Sequence, residues 1–252
     1  MNIKIISLLS LLITGGAMGW FLNGIQDTKE VSIETKTTPP EQQEVAVVAN
    51  AADFVSIRPA VAALPEQTLS DEERSGLIFM REEEKLARDV YSVLYDKWEL
   101  QFFSNIAQSE QTHTEAVRTI LTKYNISDPV TDDTIGIFVN SDLQKLYADL
   151  TTRGLVSLEE ALTVGAHIED LDISDLQKQI ALTDNDDIKL VYENLMRGSR
   201  NHLRAFTSQL TTRGETYTPK YITQSEFDTI IASEQETGSG RGNNGRSWGE
   251  DR

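Results

Sequence analysis

Residues 71–98 read DEERSGLIFMREEEKLARDVYSVLYDKW, and the spacing of their apolar members decides the fold. Leu77, Met80, Ala87, Tyr91, Leu94 and Trp98 recur every three or four positions, the period of a helix with one buried face. Ser70 followed by Glu73 supplies a capping-box start. One position on this stripe, Glu84, breaks the rule, because a buried carboxylate is costly unless it is neutralised or partnered.

The same pattern recurs downstream. A second helix over 103–124 carries Phe103, Ile106, Val117, Ile120 and Tyr124, interrupted by Glu110 and His113. Asp128-Pro129 ends that run, and a short helix over 142–152 stops at Gly154. A third long helix begins at Leu158 and reaches at least Leu171. Its stripe is Leu158, Leu162, Gly165, Glu169 and, if the helix extends that far, Asp172. A separate piece is expected over 175–182, since Ser174 with Gln177 resembles another capping box, as do Ser141 with Gln144 and Ser157 with Glu160. The fourth long helix, 187–210, places Ile188, Val191, Leu195, Ser199, His202, Phe206 and Leu210 on one face, and a closing helix covers 225–231. Apart from a possible extended piece at Ile135–Val139 there is no strand alternation, and no internal repeat. The expectation is all-α: a four-helix bundle with an inserted short helix.

The ends differ from this middle. Lys4 precedes an apolar run from Ile5 to Leu22, so residues 1–23 read as an export segment, either a cleaved signal peptide or an N-terminal membrane anchor. Ala17-Met18-Gly19 suits cleavage; Trp20 and Phe21 suit an interfacial end and tip the reading towards the anchor. Residues 24–69, with Thr37-Thr38-Pro39-Pro40, form a linker, residues 70–232 the helical domain, and residues 233–252 a Gly- and Asn-rich disordered tail. The domain is therefore expected outside the cytoplasm, touching the membrane only through its N-terminal segment. Acids outnumber bases 40 to 23, which disfavours nucleic acid as a partner and favours cations. No cysteine is present, which excludes disulfides, thiolate ligands and a lipoprotein anchor.

Each of the four long stripes thus carries a carboxylate or imidazole near its middle: Glu84; Glu110 with His113; Glu169; His202. Three carboxylates converging in a core repel one another, and one or two divalent metal ions relieve that conflict. In Glu110-x-x-His113 the two side chains lie about 4.5 Å apart along the axis, so they can serve one ion or two adjacent ions. Carboxylate with imidazole favours iron or manganese, with zinc also admissible. Glu-x-x-His alone is weak; the strength lies in four helices agreeing on phase and depth. The bland alternatives are specific. Glu84 could pair with Arg88 one turn on, His113 and His202 could be satisfied core histidines, Glu169 could be solvated, and Tyr91 could be ordinary core. His167, two residues before Glu169, falls on nearly the opposite face and is left out of the set.

Glu84-Lys85-Leu86-Ala87-Arg88-Asp89-Val90-Tyr91 and Ser109-Glu110-Gln111-Thr112-His113 resemble the first- and second-helix motifs of the ferritin-like superfamily, rubrerythrin-type domains in particular. Together with Val164-Gly165-Ala166-His167-Ile168-Glu169 and Gly198-Ser199-Arg200-Asn201-His202, they are similar to the DUF2202 family of prokaryotes over about residues 70–232. The resemblance implies a ferritin-like four-helix domain with Glu169 as the lone third-helix glutamate, and the leading expectation for function is non-haem iron chemistry with oxygen or peroxide. One departure stands out: the superfamily's second E-x-x-H on the fourth helix reads Ser199-x-x-His202 here. That leaves a two-metal site in question, with Asp172 or water as a replacement ligand. A non-catalytic metal carrier or sensor, or a purely structural domain with an internal salt-bridge network, remain the alternative functions.

Overall fold

The computed structural model describes residues 57–237; the expected export segment over residues 1–23 and most of the expected linker lie outside them. Seven helices are described: α1 (57–63), α2 (Asp71–Trp98), α3 (Gln101–Lys123), α4 (Ser141–Gly154), α5 (Leu158–Leu182), α6 (Asp186–Thr211) and α7 (Gln224–Ala232). No strand occurs among the described residues, and 135–139 is turn and coil rather than extended pairing.

The caps explain the boundaries. Ser70 and Glu73 form the reciprocal capping box expected at the start of α2. Ser157 receives the Glu160 N–H at the start of α5. At α4 the cap is Asn140 rather than Ser141, its side chain accepting from the Asp142 and Leu143 N–H groups. Ser174 caps nothing. The expected break there is absent, and α5 runs unbroken for 25 residues to Leu182. A Ser-x-x-Gln pattern inside a helix whose apolar period continues through Ile173 and Leu176 cannot compete with burial of those side chains.

Only Glu99 and Leu100 separate α2 from α3, with Glu99 in the left-handed region (φ 52°), and three residues separate α5 from α6. Two helical hairpins result, and they pack with α2 against α5 and α3 against α6. The core fixes their directions. One apolar cluster contains Val90, Tyr91, Phe103, Ile106, Leu162 and Phe206; the other contains Leu77, Met80, Val117, Ile120, Leu176 and Val191. Helices α3 and α5 run from the first cluster to the second, α2 and α6 the reverse. Since α3 and α5 are parallel, the chain needs a long crossover, and residues 124–157 with α4 supply it. Helix α4 lies against α2 and α5.

Residues 57–63, assigned above to the linker, belong to this unit: Val61 is buried in the second cluster, and Lys123 Nζ donates to the Val61 and Leu64 carbonyls. At the other end Glu236, placed above in the disordered tail, pairs with Arg200 and Arg204 on α6. No helix among the described residues is long and apolar enough to cross a membrane.

Candidate metal centre

Between the two apolar clusters lies a layer of buried polar side chains, and it contains every ligand expected from the helix stripes. Glu84 comes from α2, Glu110 and His113 from α3, Glu169 from α5 and His202 from α6, each exposing 2% or less of its surface. Glu110 is the centre. Its Oε2 lies 2.7 Å from His113 Nδ1 and its Oε1 lies 2.7 Å from His202 Nδ1. Glu84 Oε2 approaches His113 Nδ1 at 3.4 Å, and Glu169 Oε2 approaches His202 Nδ1 at 3.5 Å. The two imidazoles are near parallel, with ring centroids 5.7 Å apart. Two three-residue groups with ligand atoms within 4.8 Å of one another follow, Glu84–Glu110–His113 and Glu110–Glu169–His202, and they share Glu110.

The second nitrogens are aimed elsewhere. His202 Nε2 sits 3.1 Å from Ser109 Oγ, a contact that fixes the ring orientation in the manner of an outer partner. His113 turns its Nε2 towards α6, where a Cβ on Gly198 would lie 2.6 Å away, so only glycine admits the ring there. Gly165 makes room in the same way within the first apolar cluster: a Cβ would meet the Phe206 ring at 2.1 Å, so α5 and α6 approach closely. Neither Ser109 nor Gly198 was legible as functional from the stripe pattern, because neither carries a ligand atom.

Several atoms of this layer lack a hydrogen-bond partner despite full burial: both oxygens of Glu84, Glu110 Oε1, His202 Nδ1 and Asp172 Oδ1. Glu110 Oε1 and His202 Nδ1 are close without being aligned for a hydrogen bond. Buried orphan acceptors facing one another are what a cation would resolve.

The supporting residues divide. The Tyr91 hydroxyl donates to Glu169 Oε1 at 2.5 Å, holding that carboxylate from the α2 side. The Ser199 hydroxyl donates to Asp172 Oδ2. Because α5 continues past Asp172, a carboxylate from α5 stands beside the position where α6 carries a serine. Arg88 does not serve the centre. Its guanidinium is held by Asp89, Gln111 and Asp133, so the pairing with Glu84 considered above is absent. His167 also lies outside the layer, its Nε2 3.4 Å from the Tyr221 hydroxyl; burial first, then Lys220 and Arg153, hold its pKa down to about 4.

The rest of the first motif explains why α2 is buried on every side in its middle. Glu82 accepts the Val139 and Asn140 N–H groups, tethering the crossover. Lys85, fully buried, pairs with Asp89 at 2.5 Å and donates to the Thr134 carbonyl. Glu83 faces α5, where burial, and next Asp175, push its carboxyl well above the usual range. The three consecutive glutamates thus face three directions, and only Glu84 enters the centre.

The protonation pattern follows from burial against neighbouring charge. Burial pushes Glu84 up to about 7, although His113 opposes it. Glu169 is raised by burial against the pull of His202, and Asp172 rises well above the usual range through burial and the charges of Glu84, Glu83 and Glu169. Glu110 goes the other way: burial would raise it, but His113 and His202 outweigh burial and hold it ionised. In turn His113 is raised well above its usual value and His202 to about 9, Glu110 overcoming burial in each. A small cavity of about 10 Å³, room for about one water, lies beside Glu110, Glu169, Asp172 and Glu83 between α2 and α5.

Fold and site together define an all-helical bundle crossed at mid-height by a buried carboxylate–imidazole layer able to hold metal. The chain belongs to the DUF2202 family, described as an uncharacterised protein domain, which matches residues 73–234. It is 58% identical over 181 residues to an uncharacterised protein of Methanocaldococcus jannaschii, MJ0754, a match that covers 72% of this chain and 98% of that one. The crystal structure of the Methanococcus jannaschii protein, described as hypothetical, is similar with a TM-score of 0.68 at 59% identity, covering 69% of this chain and 99% of its own.

Proposed function

We propose that this domain is a ferritin-like metalloprotein that binds two divalent ions, iron foremost, and serves outside the cytoplasm as a non-haem redox centre acting on oxygen or peroxide. The observation that carries the reading is the pair of ligand groups hinged on Glu110. Charge supports the stoichiometry. Glu84, Glu110, Glu169 and Asp172 hold four negative charges when ionised, and two divalent cations with neutral imidazoles balance them. The donor set of oxygens and imidazole nitrogens without thiolate suits iron or manganese, with zinc the runner-up. One long crossover between two helical hairpins is a feature of ferritin-like folds and supports the reading.

Iron, when bound, supplies the electrons for reduction of oxygen or peroxide. The chain's own residues do the rest. Glu84 with His113 would hold one ion and Glu169 with His202 the other, with Glu110 available to either. Tyr91 orients Glu169, Ser109 orients His202, and a cavity with room for about one water adjoins Glu110, Glu169 and Asp172. The apolar clusters above and below exclude bulk water. An extracytoplasmic setting rests on the basic start and apolar run of residues 1–23, as membrane anchor or cleaved signal.

A second reading, a non-catalytic metal carrier or sensor, is favoured by Ser199, which leaves α6 without the glutamate expected there. Metal analysis and anaerobic ferrous titration of the full chain, followed by oxygen or peroxide uptake, separate the two. Two ions with turnover support the redox centre; bound metal without oxidant consumption leaves the carrier. A melting temperature and spectrum indifferent to metal and chelator would refute both.

A further inference from the structure

Outside the metal centre, the buried carboxylates of the described residues are held by donors of the chain itself, with one exception. Glu73 accepts from Thr183 and Asn185, and Glu82 from the Val139 and Asn140 N–H groups. Asp89 is held by Lys85 and Arg88, Asp170 by Tyr217 and three N–H groups, and Asp187 by Tyr124 and Lys123. The exception is Glu83 of α2, which is 4% exposed and has no hydrogen-bond partner at either oxygen. Its neighbours sharpen the conflict. Asp175 and Glu84 are the charges that weigh on it most, while Lys178 stands 63% exposed at the surface, paired with Asp175 at 2.6 Å. A buried carboxylate without donors is costly unless a cation comes to it.

Glu83 also lines the cavity of about 10 Å³ between α2 and α5, together with Asp172 and two residues of the centre, Glu110 and Glu169; Leu86 and Ile168 supply apolar wall. Asp172 Oδ1 has no partner either. Along α5 the acids recur every third residue, Glu169, Asp172 and Asp175, each step a rise of about 4.5 Å. Glu169 is 2% exposed, whereas the Asp175 side chain is 16% exposed. These acids therefore form a stair from surface to centre, with Glu83 set against it from α2.

We propose that divalent cations enter the centre between α2 and α5, passing from Asp175 at the surface to Glu83 and Asp172 and then to Glu110 and Glu169. The inference rests on the metal reading of the centre. The cavity explains why donor-free acids line the way. Room for about one water does not pass an ion inside its full hydration shell, so the ion sheds waters and takes carboxylate oxygens in their place. Oxygens already committed to N–H or ammonium donors could not do this. Lys178 acts against entry, because it occupies Asp175 and repels an arriving cation.

The test is stopped-flow mixing of the full metal-free chain with Co²⁺, followed by its visible absorption, with calorimetry for stoichiometry and Kd. Asp175→Asn and Glu83→Gln should each slow uptake by roughly tenfold. Release into chelator should slow by a similar factor, leaving Kd near the wild-type value, because a route eases passage in both directions. Lys178→Gln should speed both. Glu159→Gln, an exposed acid on α5 about 24 Å from Asp175, should keep wild-type rates. Circular dichroism checks that each variant is folded. Wild-type rates in Asp175→Asn and Glu83→Gln, with metal still bound, overturn the route and leave the metal reading standing. A weakened Kd with unchanged uptake makes Glu83 a support of the centre and also overturns the route. A wild-type chain that takes up no Co²⁺ removes the metal reading and the route together.

Discussion

Replacing Glu110 by Gln alters the one side chain common to both ligand groups while nearly preserving its shape. Each carboxylate oxygen lies 2.7 Å from an imidazole Nδ1, so the change weakens two contacts at once. In the metal-free chain the aligned hydrogen bond to His113 is worth about 1.5–3 kcal/mol, and the unaligned contact to His202 less. The imidazoles can escape part of that loss by giving up their protons. For His202, raised to about 9, the cost of doing so at neutral pH is ~3 kcal/mol. The metal-free variant should therefore still fold, with stability lower by a few kcal/mol. Metal binding suffers more distinctively. Loss of a mere outer-sphere partner costs about 10–100-fold in affinity, and a shared ligand should cost at least that for each ion. Calorimetric titration with Mn²⁺, or with Fe²⁺ under anaerobic conditions, reads both steps. Glu84→Gln and Glu169→Gln serve as comparators, each weakening one step and sparing the other. If Glu110→Gln kept two wild-type steps, or lost only one, the shared-ligand geometry would be wrong.

Gly198→Ala puts a Cβ 2.5 Å from His113 Cε1, so the ring must move; a helix-propensity gain of up to about 1 kcal/mol is set against an overpacking cost of about 1–3 kcal/mol, and metal affinity falls at the Glu84–His113 step while α6 stays helical by circular dichroism. Metal affinity should rise with pH between about 7 and 9, because Glu84 and His202 lose their protons there and metal takes their place. The metal-free chain behaves oppositely. Raised pKa values in the folded state mean the stabilisation is complete below the unfolded values and fades as pH climbs through the folded ones. Its melting temperature in chelator should accordingly drop from pH 5 to pH 9, while added metal stabilises most at the upper end. Lys85→Met removes one of the two cations that hold Asp89, with Arg88 and the Gly136 N–H left in place, and should cost about 1.5–3 kcal/mol, visible as a lower denaturation midpoint. Ser109→Ala frees His202 Nε2 and should weaken metal binding by roughly 10-fold or more with little change in melting temperature.

How much of this was legible in the chain differs from residue to residue. The period of three and four located α2, α3, α6 and the start of α5 within a residue or two and exposed Glu84, Glu110, His113, Glu169 and His202 as polar intruders at one depth, because burial of a helix face is written locally. The break expected at Ser174 failed for the same reason in reverse: a four-residue cap pattern is weaker information than the apolar period running through it. Sequence could not tell that Arg88 turns to Asp89, Gln111 and Asp133 and away from Glu84, since a long side chain chooses among partners brought by other helices. Nor could it show why Glu82, Glu83 and Lys85 are buried, because the surface that covers them belongs to the crossover and to α5.

The sequence by itself determined that this is an all-helical protein with carboxylates and imidazoles on its inner faces. Tertiary structure alone decided that Glu110 stands between two histidines, that Asp172 fills the space beside Ser199, and that Gly198 makes room for His113. Periodicity fixes which way a side chain faces along its own helix, whereas distances between groups on different helices depend on how the hairpins dock, and only the packed bundle sets those.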